Sequence, residues 1–298
     1  MGVLENQNSI IIDRAKAAIL ARDFDQAIRI YRGLLNTNPE NMEYLNVLGD
    51  LYVKSGDDER ALDYYKEIVR LDSNNVSALN NMGAIYRRLE QYDLSISVLE
   101  RAVIIDDSNV QVYYNLGFTY KLMGNYDDAI QCFNTVVESN PRDVLAFNHI
   151  GSIYAIQNKH DLAVQSYIKG LKADPNHPVL HLNLAKSYDI LGDFAKAQSE
   201  YEAALKTKPG WFEAIESYSD LLLRENKSQN AGDIVRKALV INPKDAAMHA
   251  KLGDVYYNQN NYDNAENEYN SALNINPDCD KALSGLARTY EDTGRIDD

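Results

Sequence analysis

Residues 110–141 read VQVYYNLGFTYKLMGNYDDAIQCFNTVVESNP, and the spacing within them carries the fold. Before the break Gly124-Asn125-Tyr126, the residues Tyr113, Leu116, Gly117 and Tyr120 recur at steps of three and four. After it, Ala129, Phe133 and Val136 do the same. Such steps place each set on one face of a helix. The small Gly117 and Ala129 face bulky neighbours and allow two helices to approach closely. Asp127 lies at the start of the second helix, where the dipole favours a carboxylate. Pro141 then closes the stretch. The pattern predicts a helix–turn–helix hairpin.

The hairpin recurs without a slip. Displaced by 34 residues, Gly117 becomes Gly49 and Gly83 upstream, then Gly151, Ala185, Ser219, Gly253 and Ala287. Ala129 becomes Ala27, Ala61, Ser95, Ala163, Ala197, Ala231 and Ala265. Pro141 becomes Pro39, Pro175, Pro209, Pro243 and Pro277, with Ser73 and Asp107 as exceptions. A hairpin of this period, with these small, aromatic and proline positions, resembles the tetratricopeptide repeat. The resemblance implies an all-α fold, a right-handed superhelical solenoid of antiparallel helix hairpins. Units start at residues 8, 42, 76, 110, 144, 178, 212 and 246, and a capping or truncated helix occupies 280–298. Residues 1–7 read as a lead-in and 8–298 as a single superhelix.

Composition narrows the function classes. The net charge of −14 disfavours nucleic-acid backbones and anionic membranes as partners. No apolar run approaches the roughly 20 residues of a membrane span. The first residues lack the layout of a secretory signal. Cys132 and Cys279 have no close partner in sequence, so neither a disulfide framework nor a metal spacing arises. A reducing, cytoplasmic setting is the expectation.

No catalytic constellation emerges, and no cofactor is expected. His177 and His181 stand four apart, but Pro178 intervenes and the pair straddles a helix start, so no metal site is predicted. Phosphate loops, nucleophile elbows and CxxC pairs are absent. The acidic residues Asp25, Asp93, Asp127, Asp161 and Asp263 read as caps and dipole partners of second helices. Unit seven departs from the pattern: Ser219 replaces the small glycine, Tyr218 crowds the core and Gly232 interrupts a helix. A looser joint is expected there.

The resemblance also implies a concave groove lined by first helices. At the sixth position of successive units stand Asn81, Asn115, His149 and Asn183, and the fifth adds Asn46, Asn80 and Asn148. An asparagine amide both donates and accepts, so a series of them can hold a peptide backbone without reading its side chains. The series resembles the asparagine ladder in the superhelix of O-linked N-acetylglucosamine transferase and in kinesin light chain. The same residues can instead satisfy neighbouring helices. Arg87, Arg88 and Lys121, edged by Tyr114 and Phe118, make the middle of the groove basic, and Lys186 follows in unit six. Glu213, Glu216 and Asp220 make its far end acidic. The carboxylate clamp for chaperone tails is rejected, because the cations it needs would fall at Gln111 and Asn115, Leu145 and His149, or Glu213 and Ser217.

The expected function is therefore a non-enzymatic scaffold that binds a protein or peptide partner, with acidic segments, in this groove. Two alternatives stay open: the targeting arm of a longer enzyme, and a self-associating assembly protein. The partner, the oligomeric state and the pathway are not legible.

Overall fold

The computed structural model describes the backbone of residues 2–295 and the side chains of residues 9–295. Every element within them is an α-helix; no strand is present among the described residues. The chain divides into two compact units, Met1–Pro141 and Arg142–Asp298. In the first, the helices are α1 (Gly2–Leu20), α2 (Phe24–Thr37), α3 (Met42–Ser55), α4 (Asp58–Leu71), α5 (Val76–Arg88), α6 (Tyr92–Ile105), α7 (Val110–Met123) and α8 (Tyr126–Ser139). In the second they are α9 (Val144–Ile156), α10 (His160–Ala173), α11 (Pro178–Ile190), α12 (Phe194–Thr207), α13 (Phe212–Arg224), α14 (Ser228–Ile241), α15 (Ala246–Asn258), α16 (Tyr262–Ile275) and α17 (Asp280–Thr293). Each unit is a solenoid of helix hairpins. The helix α1 runs back through the lead-in; the side chains of residues 1–8, and residues 296–298, lie outside the described residues.

The small position of each first helix works by close approach. A Cβ on Gly151 would come within 2.4 Å of the Tyr167 ring, and one on Gly253 within 2.5 Å of the Tyr269 ring. Glycine therefore lets a whole aromatic ring fill the space between the two helices of a hairpin. Tyr65, Tyr167 and Tyr269 are fully buried in this way, and Tyr201 is equally buried in the hairpin whose small residue is Ala185. Where Ser95 replaces the usual alanine, its hydroxyl donates to the Gly83 carbonyl at 2.8 Å and meets the Thr119 hydroxyl at 3.1 Å, so the buried polar group is satisfied.

The turn inside each hairpin is equally regular. Gly56, Gly124, Gly192 and Gly294 have left-handed backbones, and so do Arg22, Glu90, Asn158, Asn226 and Asn260. These nine residues are spaced by one repeat period throughout. At the exposed Glu90, φ is +58°. An L-residue there carries about 1–2 kcal/mol of strain, and glycine costs about 0.5–1 kcal/mol in unfolded-state entropy. Glu90→Gly should therefore raise stability by about 0.5–1 kcal/mol in urea unfolding. An unchanged or lower midpoint would show that the turn is not strained.

Capping is shared differently from the sequence reading. Asp25, Asp93, Asp127, Asp161 and Asp263 sit inside the first turns of second helices, where they complement the dipole. Where a side-chain cap bond forms, it comes from the residue two earlier: Asp23 accepts from the Gln26 amide at 3.0 Å and Asn261 from the Asn264 amide at 3.4 Å, whereas Gln91, Asn125 and Lys159 make none. First helices are capped by Asn41, Asn75, Asn109, Asp143, His177 and Asp245.

The crowding expected of Tyr218 does not arise. Its ring stacks on Tyr201 with centroids 5.4 Å apart, and its hydroxyl donates to Glu202 at 2.8 Å. Ser219 and Gly232 are buried beside it. Trp211 packs against the same core, half-buried, with the Lys208 ammonium 4.6 Å from its ring centroid.

Candidate functional site

Side chains at the fifth and sixth positions of first helices meet across adjacent repeats. The Asn115 amide on α7 donates to Asn80 Oδ1 on α5 at 2.8 Å. The Asn183 amide on α11 donates to Asn148 Oδ1 on α9 at 2.9 Å. These two rungs are equivalent, one in each compact unit, two periods apart. All four residues are half-buried. Each rung uses one donor and one acceptor. The accepting Asn80 or Asn148 keeps its whole NH2 group, and the donating Asn115 or Asn183 keeps its carbonyl oxygen and its second N–H.

The other asparagines are committed locally. Asn46 donates to Asp50 at 3.3 Å, on the same helix. Asn81 hydrogen-bonds the hydroxyl of Tyr65, which itself donates to Asp50 at 2.5 Å. Burial, and then the Asp50 carboxylate, hold the Tyr65 phenol well above its ordinary range. His149 is half-buried on α9 beside Asn148.

The basic candidates separate. The Arg87 guanidinium lies over the Phe118 ring, 4.5 Å from the centroid, and has no carboxylate partner among the described residues. Burial, and then the charge of Arg88, lower its pKa. Burial likewise lowers that of Lys121. Tyr114 packs edge-on against Phe133, with centroids 5.6 Å apart. Arg88 corrects the sequence reading: it grips Asp58 of the preceding second helix, its Nε 2.8 Å from Oδ2. Its charge is therefore already neutralised. Lys186 is in the same position, paired with Glu213.

The acidic far end is also corrected. Glu213 meets Lys186, Glu216 meets Lys281, and Asp220 meets Lys251. Arg224 reaches back to Asp189 at 2.6 Å, and Arg288 to Asp254 at 3.2 Å. What looked like a block of negative charge is a series of ion pairs joining first helices one repeat apart and, for Lys281 with Glu216, two repeats apart. The pairs of Glu216 with Lys281, Asp220 with Lys251 and Asp254 with Arg288 border a cavity of about 550 Å³ that also takes in Asp280, Ser284 and Gly285. Lys251, Lys281 and Arg288 were missed. Lys251 occupies the sixth position of its repeat, where earlier repeats carry Asn81, Asn115 and Asn183, so the position itself was the available signal.

Several histidines are structural. His177 caps α11, accepting from the Leu180 amide at 3.3 Å. His181 bridges Glu200 at 2.6 Å and the Pro175 carbonyl at 2.9 Å, and His249 bridges Glu268 and the Pro243 carbonyl two repeats later. Among the described residues, no three His, Cys, Asp or Glu side chains are placed to hold a metal. Burial, then the charges of Asp128 and Glu100, push the Cys132 thiol up to about 12, which leaves little thiolate near neutral pH. No described helix is long and apolar enough to cross a membrane.

Comparison with known proteins agrees with this architecture. Tetratricopeptide repeat models match residues 12–76 and 182–246, 110–143 and 145–177, and a further repeat model matches 83–124 and 253–294. Human anaphase-promoting complex subunit 7 is 30% identical over 102 residues, which make up 34% of this chain and 18% of that protein. The matched stretch is under a fifth of each such relative, at 18% in three and 14% in the fourth. Among solved structures, MamA superposes with a TM-score of 0.52 at 29% identity, over 54% of this chain and 94% of that one. A tetratricopeptide repeat protein from Parabacteroides merdae gives 0.59 at 19% identity, over 84% of this chain and 98% of that one, and shares the fold. The repeats cover the chain from residue 12 to residue 294 with only short gaps, and the protein belongs to the tetratricopeptide repeat family.

Proposed function

We propose that this repeat scaffold binds an extended segment of a partner protein on its first-helix face, and that the two asparagine rungs hold the segment's backbone. The observation that carries the proposal is the composition of each rung. An Asn–Asn pair joined by one hydrogen bond leaves a donor on one residue and an acceptor on the other. An extended peptide presents the matching carbonyl and N–H groups. Arg87 adds selectivity for a ligand carboxylate in the first unit, because it keeps a charge without a protein counter-ion. Arg88 and Lys186 contribute less, their charges being spent on Asp58 and Glu213. The similarity to a subunit of the anaphase-promoting complex favours a place within a multi-protein assembly.

The test uses peptides selected from a random display library on the native chain. The variant Asn115→Ala with Asn183→Ala removes both rungs. It should bind the selected peptides at least about 10-fold more weakly. A stability loss accompanies it, since each inter-repeat hydrogen bond contributes about 0.5–1.5 kcal/mol, so binding is measured well below the melting temperature. Equal affinity for the native and folded variant chains would place recognition elsewhere.

A further inference from the structure

A cleft of about 440 Å³ opens away from the first-helix face, between the second helices α12 and α14. Leu205, Pro209, Ile234 and Ile241 line it, and Tyr218 forms its floor. That floor is rigid, since Tyr218 is 4% exposed and is held by the Tyr201 ring and by Glu202. Ile241 is 58% exposed, and the adjoining Val240 is 81% exposed. Large aliphatic side chains left open beside a preformed cleft mark an interaction surface.

The rim supplies the second observation. Four charged residues, Glu202, Lys206, Asp233 and Lys237, border the cleft. Asp233 is neutralised by Arg236 at 2.7 Å, whereas Glu202 accepts from the neutral Tyr218 hydroxyl and keeps its charge. Neither lysine has an ion-pair partner among the described residues. In a chain of net charge −14, the rim of this cleft keeps Lys206 and Lys237 open against the one carboxylate of Glu202, an excess of positive charge.

The first unit contains the equivalent cleft with the opposite rim. It measures about 370 Å³ and is lined by Leu35, Pro39, Leu45 and Tyr64. Leu35, Pro39 and Tyr64 precede Leu205, Pro209 and Ile234 by five repeat periods. Where the second unit has Lys206 and Lys237, the first has Asn36 and Glu67. The apolar shape therefore occurs in both units, and of these two clefts only the second carries the lysines.

We propose that the cleft between α12 and α14 docks an acidic segment of a partner protein that carries aliphatic anchor side chains. The aliphatic groups would fill the space between Leu205, Ile234 and Ile241. Flanking carboxylates would meet Lys206 and Lys237. This surface is separate from the asparagine rungs, so the scaffold would hold two ligands at once.

The probe is a fluorescent synthetic peptide with leucines three and four residues apart and glutamates between them. Two controls carry lysine for glutamate, or serine for leucine. By fluorescence anisotropy on the full chain, the acidic leucine peptide should bind at least about 10-fold more tightly than either control. Lys206→Glu with Lys237→Glu should weaken it at least about 10-fold and favour the lysine peptide, with an unchanged melting curve. Asn36→Lys with Glu67→Lys should create a second equivalent site. Equal affinity for the three peptides, no binding at about 1 mM, or indifference to the Lys206/Lys237 exchange would each overturn the proposal. If binding ignores that exchange but is lost in the Asn115/Asn183 variant, the peptide lies on the first-helix face. The cleft proposal then fails while the rung proposal stands.

Discussion

Tyr269→Ala should destabilise the second unit by about 3–5 kcal/mol, the range for truncating a fully buried aromatic. Tyr269 is 0% exposed, and its ring fills the space that two glycines leave open. A Cβ on Gly253 would come within 2.5 Å of the ring, and one on Gly285 within 2.4 Å. One ring thus joins α15, α16 and α17. With glycine on two sides of it, no neighbouring side chain can move in to fill the cavity. Stability in repeat arrays is largely a sum of repeat and nearest-neighbour terms, so the loss should be local. Hydrogen exchange should show lost protection across residues 246–293 and retained protection across the helices of the first unit. A loss below about 1 kcal/mol in urea unfolding would mean that the ring is not the joint it looks to be. Tyr269→Phe separates ring from hydroxyl: it removes the bond donated to Asp254 at 2.8 Å and the one accepted from Arg288, each of which contributes about 0.5–1.5 kcal/mol.

The ion pair between Lys251 and Asp220 should respond asymmetrically. Lys251 is only 8% exposed, whereas the Asp220 side chain is 47% exposed. Removing the carboxylate by Asp220→Ala strands a buried ammonium, which costs about 3–5 kcal/mol when both partners are buried. Exposure of Asp220 lowers the expected loss to about 2–3 kcal/mol. Lys251→Met removes the charge that needs a partner and leaves Asp220 to water. It should be neutral or stabilising. Calorimetry of the two variants decides the matter, and equal losses from both would show that the pair itself contributes net stability. The comparison bears on function, because Lys251 occupies the position that carries rung asparagines in earlier repeats.

The hairpin fold was legible because its signal lies in residues whose role is the same in every repeat. Gly83, Gly151 and Gly253 face Leu99, Tyr167 and Tyr269 by one rule of close approach, and a rule repeated along a chain is visible as a period. The left-handed turns were legible in part. Gly56, Gly124 and Gly192 announce them and the period carries the turn on to Glu90 and Asn158, although the residue type at Glu90 disfavours the left-handed backbone that it adopts. The asparagine series was legible as residue type and position. Its partners were not. The Asn115 amide chooses Asn80, Arg88 turns back to Asp58, and Lys281 passes over a whole repeat to reach Glu216. Long polar side chains select among neighbours one or two repeats away, and the choice depends on how adjacent helices are rotated against each other. The period records only that the helices pack. For this protein, periodic apolar and small residues specify the repeats and their number. The charges left open, Arg87 on one face and Lys206 and Lys237 on another, emerge only once the helices are stacked, because neutralisation happens between repeats rather than within them.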